Sequence, residues 1–152
     1  MYKICFVCHG NICRSPMAEF IMKELVRRAG RENEFFIVSA ATHTENIWDG
    51  GSSPIYPYAL TQLKKHKIPY TKKYAALLTR EDYGRYDLFP CMDDENMRHM
   101  RRIFGGDPDG KLHKLLEYAG ETGNVSDPWY TRDFDRAYED ILRGCEALLD
   151  KF

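Results

Sequence analysis

The stretch Ile4-Cys5-Phe6-Val7-Cys8-His9-Gly10-Asn11-Ile12-Cys13-Arg14-Ser15-Pro16 decides the fold. Ile4 to Val7 is a short apolar run of the kind that forms a buried strand, and it sets Cys8 at the strand's carboxyl end. Ser15 is the expected cap of a following helix, and Pro16 suits its first turn. The loop between strand and helix then turns several backbone N–H groups toward one point at a helix N-terminus, which makes an anion cradle. A thiolate at Cys8 would be stabilised there. Arg14 adds a planar fork able to grip two phosphate oxygens.

Outward from this stretch, Met17, Phe20, Ile21 and Leu25 recur at helical spacing, and Gly30 offers a stop. Phe35 to Ala40 reads as a second strand, followed by a polar loop holding Trp48 and Gly50-Gly51-Ser52-Ser53-Pro54. Pro57 can start a helix carrying Leu60 and Leu63, Ala75 to Leu78 is a brief extended or turn segment, and Thr79 with Asp82 makes a capping box. Asp87 to Met92 is a third strand with Pro90 marking a bulge or early end, and Asp93 caps a helix that stops at Gly105-Gly106. Lys111 to Leu116 reads as a fourth strand. Phe134, Ala137, Tyr138, Ile141, Cys145, Leu148 and Leu149 form one stripe of a closing helix. Alternating strands and helices imply an α/β fold with a mainly parallel sheet covered on both faces, and a ligand site at the carboxyl ends of the strands.

The 152 residues amount to a single domain, 1–152. With 22 Lys and Arg against 23 Asp and Glu, the net charge of −1 gives no global attraction to nucleic acid or anionic membrane, so affinity for an anion must be local. No basic region leads into a long apolar run at the N-terminus, and no stretch approaches about 18 consecutive apolar residues. Neither a signal peptide nor membrane insertion is therefore expected. Five cysteines, an odd and scattered set, fit free thiols in a reducing, cytoplasmic setting.

Cys8 through Arg14 and Ser15 resemble the signature of the low-molecular-weight protein tyrosine phosphatases: Cys, five residues, Arg, then Ser or Thr. The match extends to Gly10, Asn11, Ile12, Cys13 and Pro16. Asp127-Pro128-Trp129-Tyr130 falls where that family carries its acid loop. Ser39-Ala40-Ala41-Thr42 with Trp48, and Tyr86-Asp87 with Met92-Asp93 and Asn96, also fit. The resemblance implies a three-layer, flavodoxin-like fold around a four-stranded sheet, which periodicity does not give. It also implies hydrolysis of phosphotyrosine and other aryl phosphates through a phosphocysteine. Cys8 would be the nucleophile, Arg14 the holder of equatorial oxygens, and Asp127 the general acid and then base. His9, Gly10, Asn11, Ile12, Cys13 and Ser15 would form the phosphate-binding loop, with Ser15 donating to the thiolate. Trp48, Trp129 and Tyr130, with His9, would wall a slot deep enough for an aromatic ring. Such an enzyme needs no cofactor and no metal. Its partners would be tyrosine-phosphorylated proteins and an opposing tyrosine kinase.

Each assignment has a plainer counterpart. Cys8 can be a packed structural thiol, Asp127 a turn residue before proline, Trp48 a core residue, Asn11 a turn asparagine. Cys13 is placed either to trap an oxidised Cys8 as a disulfide or simply to pack on the loop's inner side. Half of a zinc site at Cys8 and Cys13 lacks a second close Cys/His pair. Cys5, Cys91 and Cys145 lie in apolar patterns, and His43, His66, His99 and His113 show no ligand spacing.

The sequence also departs from the family. Lys73-Tyr74-Ala75-Ala76 stands where many relatives carry His-x-Ala-Arg, whose histidine supports the loop asparagine. His9 replaces a frequent apolar residue, and the Trp48 loop is longer. Among alternatives, protein-arginine phosphatases of this fold tend to have threonine in place of Ile12. Arsenate reductases relay electrons through a downstream cysteine pair, where only Cys91 is found here. A non-catalytic phosphate-binding or redox-sensing module would not need nucleophile, arginine and acid together.

Overall fold

A computed structural model describes residues 1–152. Strand β1 (Tyr2–Cys8) runs into helix α1 (Arg14–Arg28), and β2 (Phe35–Ala41) returns parallel to β1, pairing from Tyr2 with Phe35 to Cys8 with Ala41. A two-residue hairpin follows, β3 (Ile47–Trp48) with β4 (Gly51–Ser52), then α2 (Pro57–Lys65). Strand β5 (Phe89–Cys91), helix α3 (Asp94–Phe104), strand β6 (Leu112–Lys114), a short α4 (Pro128–Thr131) and α5 (Phe134–Leu149) complete the chain. The main sheet has the order β2-β1-β5-β6 and is parallel throughout.

The period of two along β1 divides the core. Ile4, Phe6 and Cys8 face the larger apolar cluster, with Met17 and Ile21 of α1 and Ile141, Cys145 and Leu148 of α5. Cys5 and Val7 face the other, with Phe89, Cys91, and Met100 and Phe104 of α3. A strand buried on both faces is a continuous apolar run, as parallel sheets require. The three layers and four parallel strands are those of a flavodoxin-like fold, as expected.

The chain leaves β1 toward β2 on one side and later places β5 on the other. The strand order therefore reverses at β1, and the crevice at its carboxyl end is the ligand position of such sheets. Cys8 occupies that end.

Three local expectations change. Lys111 to Leu116 is not one strand: β6 ends at Lys114, and Leu115–Ala119 form a 3-10 turn whose Leu115 and Leu116 join the larger core. The β3–β4 hairpin was not expected from the loop's composition. Ser15 does not cap α1. The helix begins at Arg14 with Cys13 before it, no side chain caps it, and Ser15 lies in the first turn. The reason is that the Ser15 N–H and hydroxyl are engaged by Cys8. The Thr79–Asp82 capping box is present, on a 3-10 turn over Arg80–Gly84.

Candidate active site

The loop from Cys8 to Arg14 closes around the Cys8 sulfur. The Asn11 N–H lies 3.3 Å from Sγ, the Ser15 N–H 3.4 Å, and the Ser15 hydroxyl 2.9 Å. To bring its N–H inward Asn11 adopts φ 55°, a left-handed conformation that asparagine tolerates better than most side chains. Gly10 is needed for a different reason. The side-chain amide of Asn46 donates to its carbonyl at 3.2 Å, and a Cβ at Gly10 would meet that amide nitrogen at 2.6 Å.

A chain of hydrogen bonds behind the loop has a fixed direction. The Ala76 N–H can only donate, so the atom it meets at 3.0 Å is the Asn11 Oδ1. The Asn11 Nδ2 then donates to Ser15 Oγ at 2.7 Å and to Ser39 Oγ at 2.9 Å. With those oxygens accepting, the Ser15 hydrogen is free to point at Cys8, and the Ser39 hydrogen goes to Glu19 Oε1 at 2.6 Å. Asn11, Ser15, Ser39 and Glu19 are all buried. Lys73 enters this network in its own way: its Nζ donates to the Ser39 carbonyl at 3.0 Å and lies 4.0 Å from Glu19. Burial holds the Lys73 pKa below the ordinary lysine value, against the pull of Glu19. The loop asparagine is thus supported by the Ala76 backbone, with Lys73 fastening the strand carbonyl beside it.

Arg14 is almost wholly buried. Its Nη1 donates to Asp93 Oδ2 at 2.7 Å and to the Val125 carbonyl at 2.8 Å, and its Nη2 is 3.4 Å from Asp127 Oδ2. Burial opposes its charge, but Cys8, Asp93 and Asp127 outweigh it and raise the pKa. Both Nη1 hydrogens are committed, which leaves those of Nε and Nη2 for a ligand. Asp93 does two things: its Oδ1 caps α3 by accepting from the Asn96 N–H at 2.8 Å, while Oδ2 orients Arg14. Asp127 likewise caps α4, accepting from the Trp129 N–H at 3.0 Å.

These groups surround a cavity of about 490 Å³. Cys8, His9, Gly10, Asn11, Ile12, Cys13 and Arg14 form part of its lining, with Asp127, Trp129 and Tyr130. Tyr56, Trp129 and Phe134 make one aromatic wall, with ring centroids 5.4 Å apart for Tyr56 and Trp129 and 6.1 Å for Tyr56 and Phe134. Cys13 also packs against the larger core, and burial, followed by the neighbouring Cys8, pushes its thiol pKa up.

Trp48 is not brought to this cavity. It is 59% exposed on β3, with its indole against Gly51. Asn46 is tied to Gly10 and to the Ser53 N–H, so the chain passes the loop two residues before Trp48 and the hairpin carries the indole away. Glu45 and Asn46 line the cavity from this segment. Sequence reasoning missed Glu45, Asn46, Tyr56 and Phe134. It also missed Glu19 and Lys73 as supports of the loop, while Ser39 and Asp93 lay within matched segments without a role.

The family model described as "Low molecular weight phosphotyrosine protein phosphatase" matches residues 3–152. The low molecular weight phosphotyrosine protein phosphatase of Gallus gallus is 37% identical over 153 residues, covering 97% of this chain and 94% of that protein. Among solved structures, YfkJ from Bacillus subtilis superposes with a TM-score of 0.92 at 32% identity, covering 99% of this chain and 94% of that one. The low molecular weight protein tyrosine phosphatase SP-PTP of Streptococcus pyogenes gives 0.87 at 34% identity, covering 100% and 93%. The chain therefore belongs to the low-molecular-weight protein tyrosine phosphatases, a family of cysteine-dependent hydrolases.

Proposed function

We propose that residues 1–152 form one catalytic domain in which Cys8, Arg14 and Asp127 hydrolyse phosphotyrosine on proteins by a two-step displacement. The Cys8 thiolate attacks phosphorus, an S–P bond forms and the P–O bond to tyrosine breaks. The departing electron pair takes the proton of Asp127. Water then attacks the phosphocysteine and gives a proton to Asp127, and the S–P bond breaks to restore the thiolate and release phosphate. Arg14, fixed through Nη1, offers Nε and Nη2 to the equatorial oxygens, and the loop N–H groups take the rest of the developing charge.

The observation that carries this reading is the convergence on one sulfur of two backbone N–H groups and a hydroxyl whose hydrogen is directed by Asn11, beside a buried arginine. The aromatic wall suits a tyrosyl ring. Ile12 offers no polar group to a phosphoguanidinium and supports tyrosine phosphate over arginine phosphate. A tyrosine kinase must supply the substrate. The five unpaired thiols fit a reducing cytoplasm, and no helix is long and apolar enough to cross a membrane. Cys13, on the same loop, is the thiol placed to capture an oxidised Cys8 as a disulfide.

The test is hydrolysis of para-nitrophenyl phosphate and a phosphotyrosine peptide in chelator, with inorganic phosphate as competitive inhibitor. Cys8→Ser should fold and be inactive. Arg14→Lys should lose at least about a hundredfold in kcat/KM, because an ammonium cannot supply the planar pair of N–H donors. Full activity in Cys8→Ser would overturn the assignment.

A further inference from the structure

The cavity lining includes a charged group that no step above uses. Glu45 lines the cavity while its side chain is 68% exposed, so its carboxylate stands at the cavity's edge within reach of solvent. Two other exposed carboxylates on the same lining, Asp94 and Glu95, are matched by permanent cations. Lys114 Nζ lies 3.0 Å from Asp94, and Arg98 Nη2 lies 3.6 Å from Glu95. The partner of Glu45 is His9, whose Nε2 is 2.8 Å from Oε1.

An imidazole, unlike the lysine and arginine beside Asp94 and Glu95, is not a permanent cation. The His9 ring stacks on His43 with centroids 4.0 Å apart, and His43 meets His99 edge-on at 4.4 Å. Burial, then His9 and His99, keep the His43 pKa below its ordinary value against the opposing pull of Glu45. The stack holds His9 where its Nε2 positions the Glu45 carboxylate by a hydrogen bond, and no lysine or arginine pairs with that carboxylate at the mouth.

Resting on the phosphotyrosine reading above, we propose that Glu45, held by His9, is a specificity-determining residue that selects phosphotyrosine sites with a lysine or arginine beside the phosphotyrosine. The phosphate itself is bound by the loop and Arg14, so Glu45 acts on the flanking residue alone. An exposed pair of this kind changes binding about two- to fivefold, and less at high salt.

The experiment compares kcat/KM for two phosphotyrosine peptides that differ in carrying Lys or Glu on both sides of the phosphotyrosine. Each enzyme variant is read as its own Lys-to-Glu ratio, so any overall change in turnover cancels. The wild-type ratio should be at least about threefold at low salt and shrink in 0.5 M salt. Glu45→Gln should bring it close to one, and Glu45→Lys should invert it. A wild-type ratio of one or less, or a ratio unmoved by Glu45→Lys, overturns the proposal. Failure of the phosphatase reading would look different: neither peptide, nor para-nitrophenyl phosphate, would be hydrolysed.

Discussion

Asn11→Asp replaces one nitrogen by oxygen and reverses the donor arrangement on which the loop depends. The second carboxylate oxygen would sit where Nδ2 is, 2.7 Å from Ser15 Oγ and 2.9 Å from Ser39 Oγ. Each hydroxyl has one hydrogen. Either Ser15 keeps donating to Cys8 and two oxygens repel, or it turns to the new carboxylate and the sulfur retains only backbone donors. Ser39 faces the same choice with Glu19. Two buried hydrogen bonds contribute about 0.5–1.5 kcal/mol each, and an uncompensated buried carboxylate costs about 3 kcal/mol more, so the variant should be about 4–6 kcal/mol less stable at pH 7.5.

The pH dependence has a definite sign. A carboxylate buried here, beside the Cys8 sulfur, would titrate above its unfolded value of about 3.9, so the loss is full at high pH and is relieved as pH falls through the raised value. Urea unfolding at pH 7.5 and 5.0 measures it, and kcat/KM for para-nitrophenyl phosphate should fall at least about a hundredfold. Asn11→Gly serves as the control: it keeps φ 55° without strain and loses the side-chain bonds without adding charge, so it should cost about 1–3 kcal/mol with no such pH dependence. An Asn11→Asp protein within about 1 kcal/mol of wild type at pH 7.5, or equally destabilised at both pH values, would refute the directed network.

Asp127→Asn keeps the oxygen that caps α4 but loses the proton, so its defect in single-turnover phosphocysteine formation should grow with leaving-group pKa; an equal defect for all leaving groups would remove Asp127 as the acid. The buried carboxylate of Glu24 accepts from Arg27 at 2.6 Å and Arg28 at 2.9 Å, and these bonds, Arg27 first, hold its pKa at about 2 instead of 4.5. That stabilisation is present above pH 4.5 and lost as pH falls toward 2. Glu24→Gln should therefore cost about 1 kcal/mol at pH 7, discounted because both arginines are exposed, and progressively less in acid unfolding. A Cβ at Gly144 would lie 2.5 Å from Leu115 Cγ, and Leu115 is fully buried. Gly144→Ala should lose about 1–2 kcal/mol despite the gain in helix propensity, and Leu115→Ala in the same chain should recover part of it in thermal unfolding.

What the sequence made legible is what its near neighbours determine. The β1 run, the loop and α1 could be read because strand period, helix period and the Cys8 to Arg14 spacing all act within a few residues. The supports of the loop arrive from elsewhere. Ala76 and Lys73 reach Asn11 and Ser39 only because the segment before the Thr79 turn lies along the end of β2, where Leu78 N–H meets the Ala41 carbonyl. Trp48 was misplaced because an aromatic residue in a loop has no sequence signal for the side of a hairpin on which it emerges. Glu45 had none either, since glutamate is exposed at most of its positions in any protein.

Asp93 shows why a local signal understates a site. Its place before Asp94-Glu95-Asn96 identifies a helix cap, and the structure agrees, but capping uses only Oδ1. Oδ2 is left to accept from Arg14 Nη1 at 2.7 Å, where α1 delivers an arginine that is itself nearly closed to water. A buried guanidinium needs a compensating charge, so the start of α3 and the start of α1 are fastened to each other through that one carboxylate. The two helices lie on opposite faces of the sheet, and Arg14 and Asp93 meet across the carboxyl ends of β1 and β5. The residue that orients Arg14 is thereby also the one that begins α3, so the α3 side of the fold cannot shift without moving the arginine at the cavity.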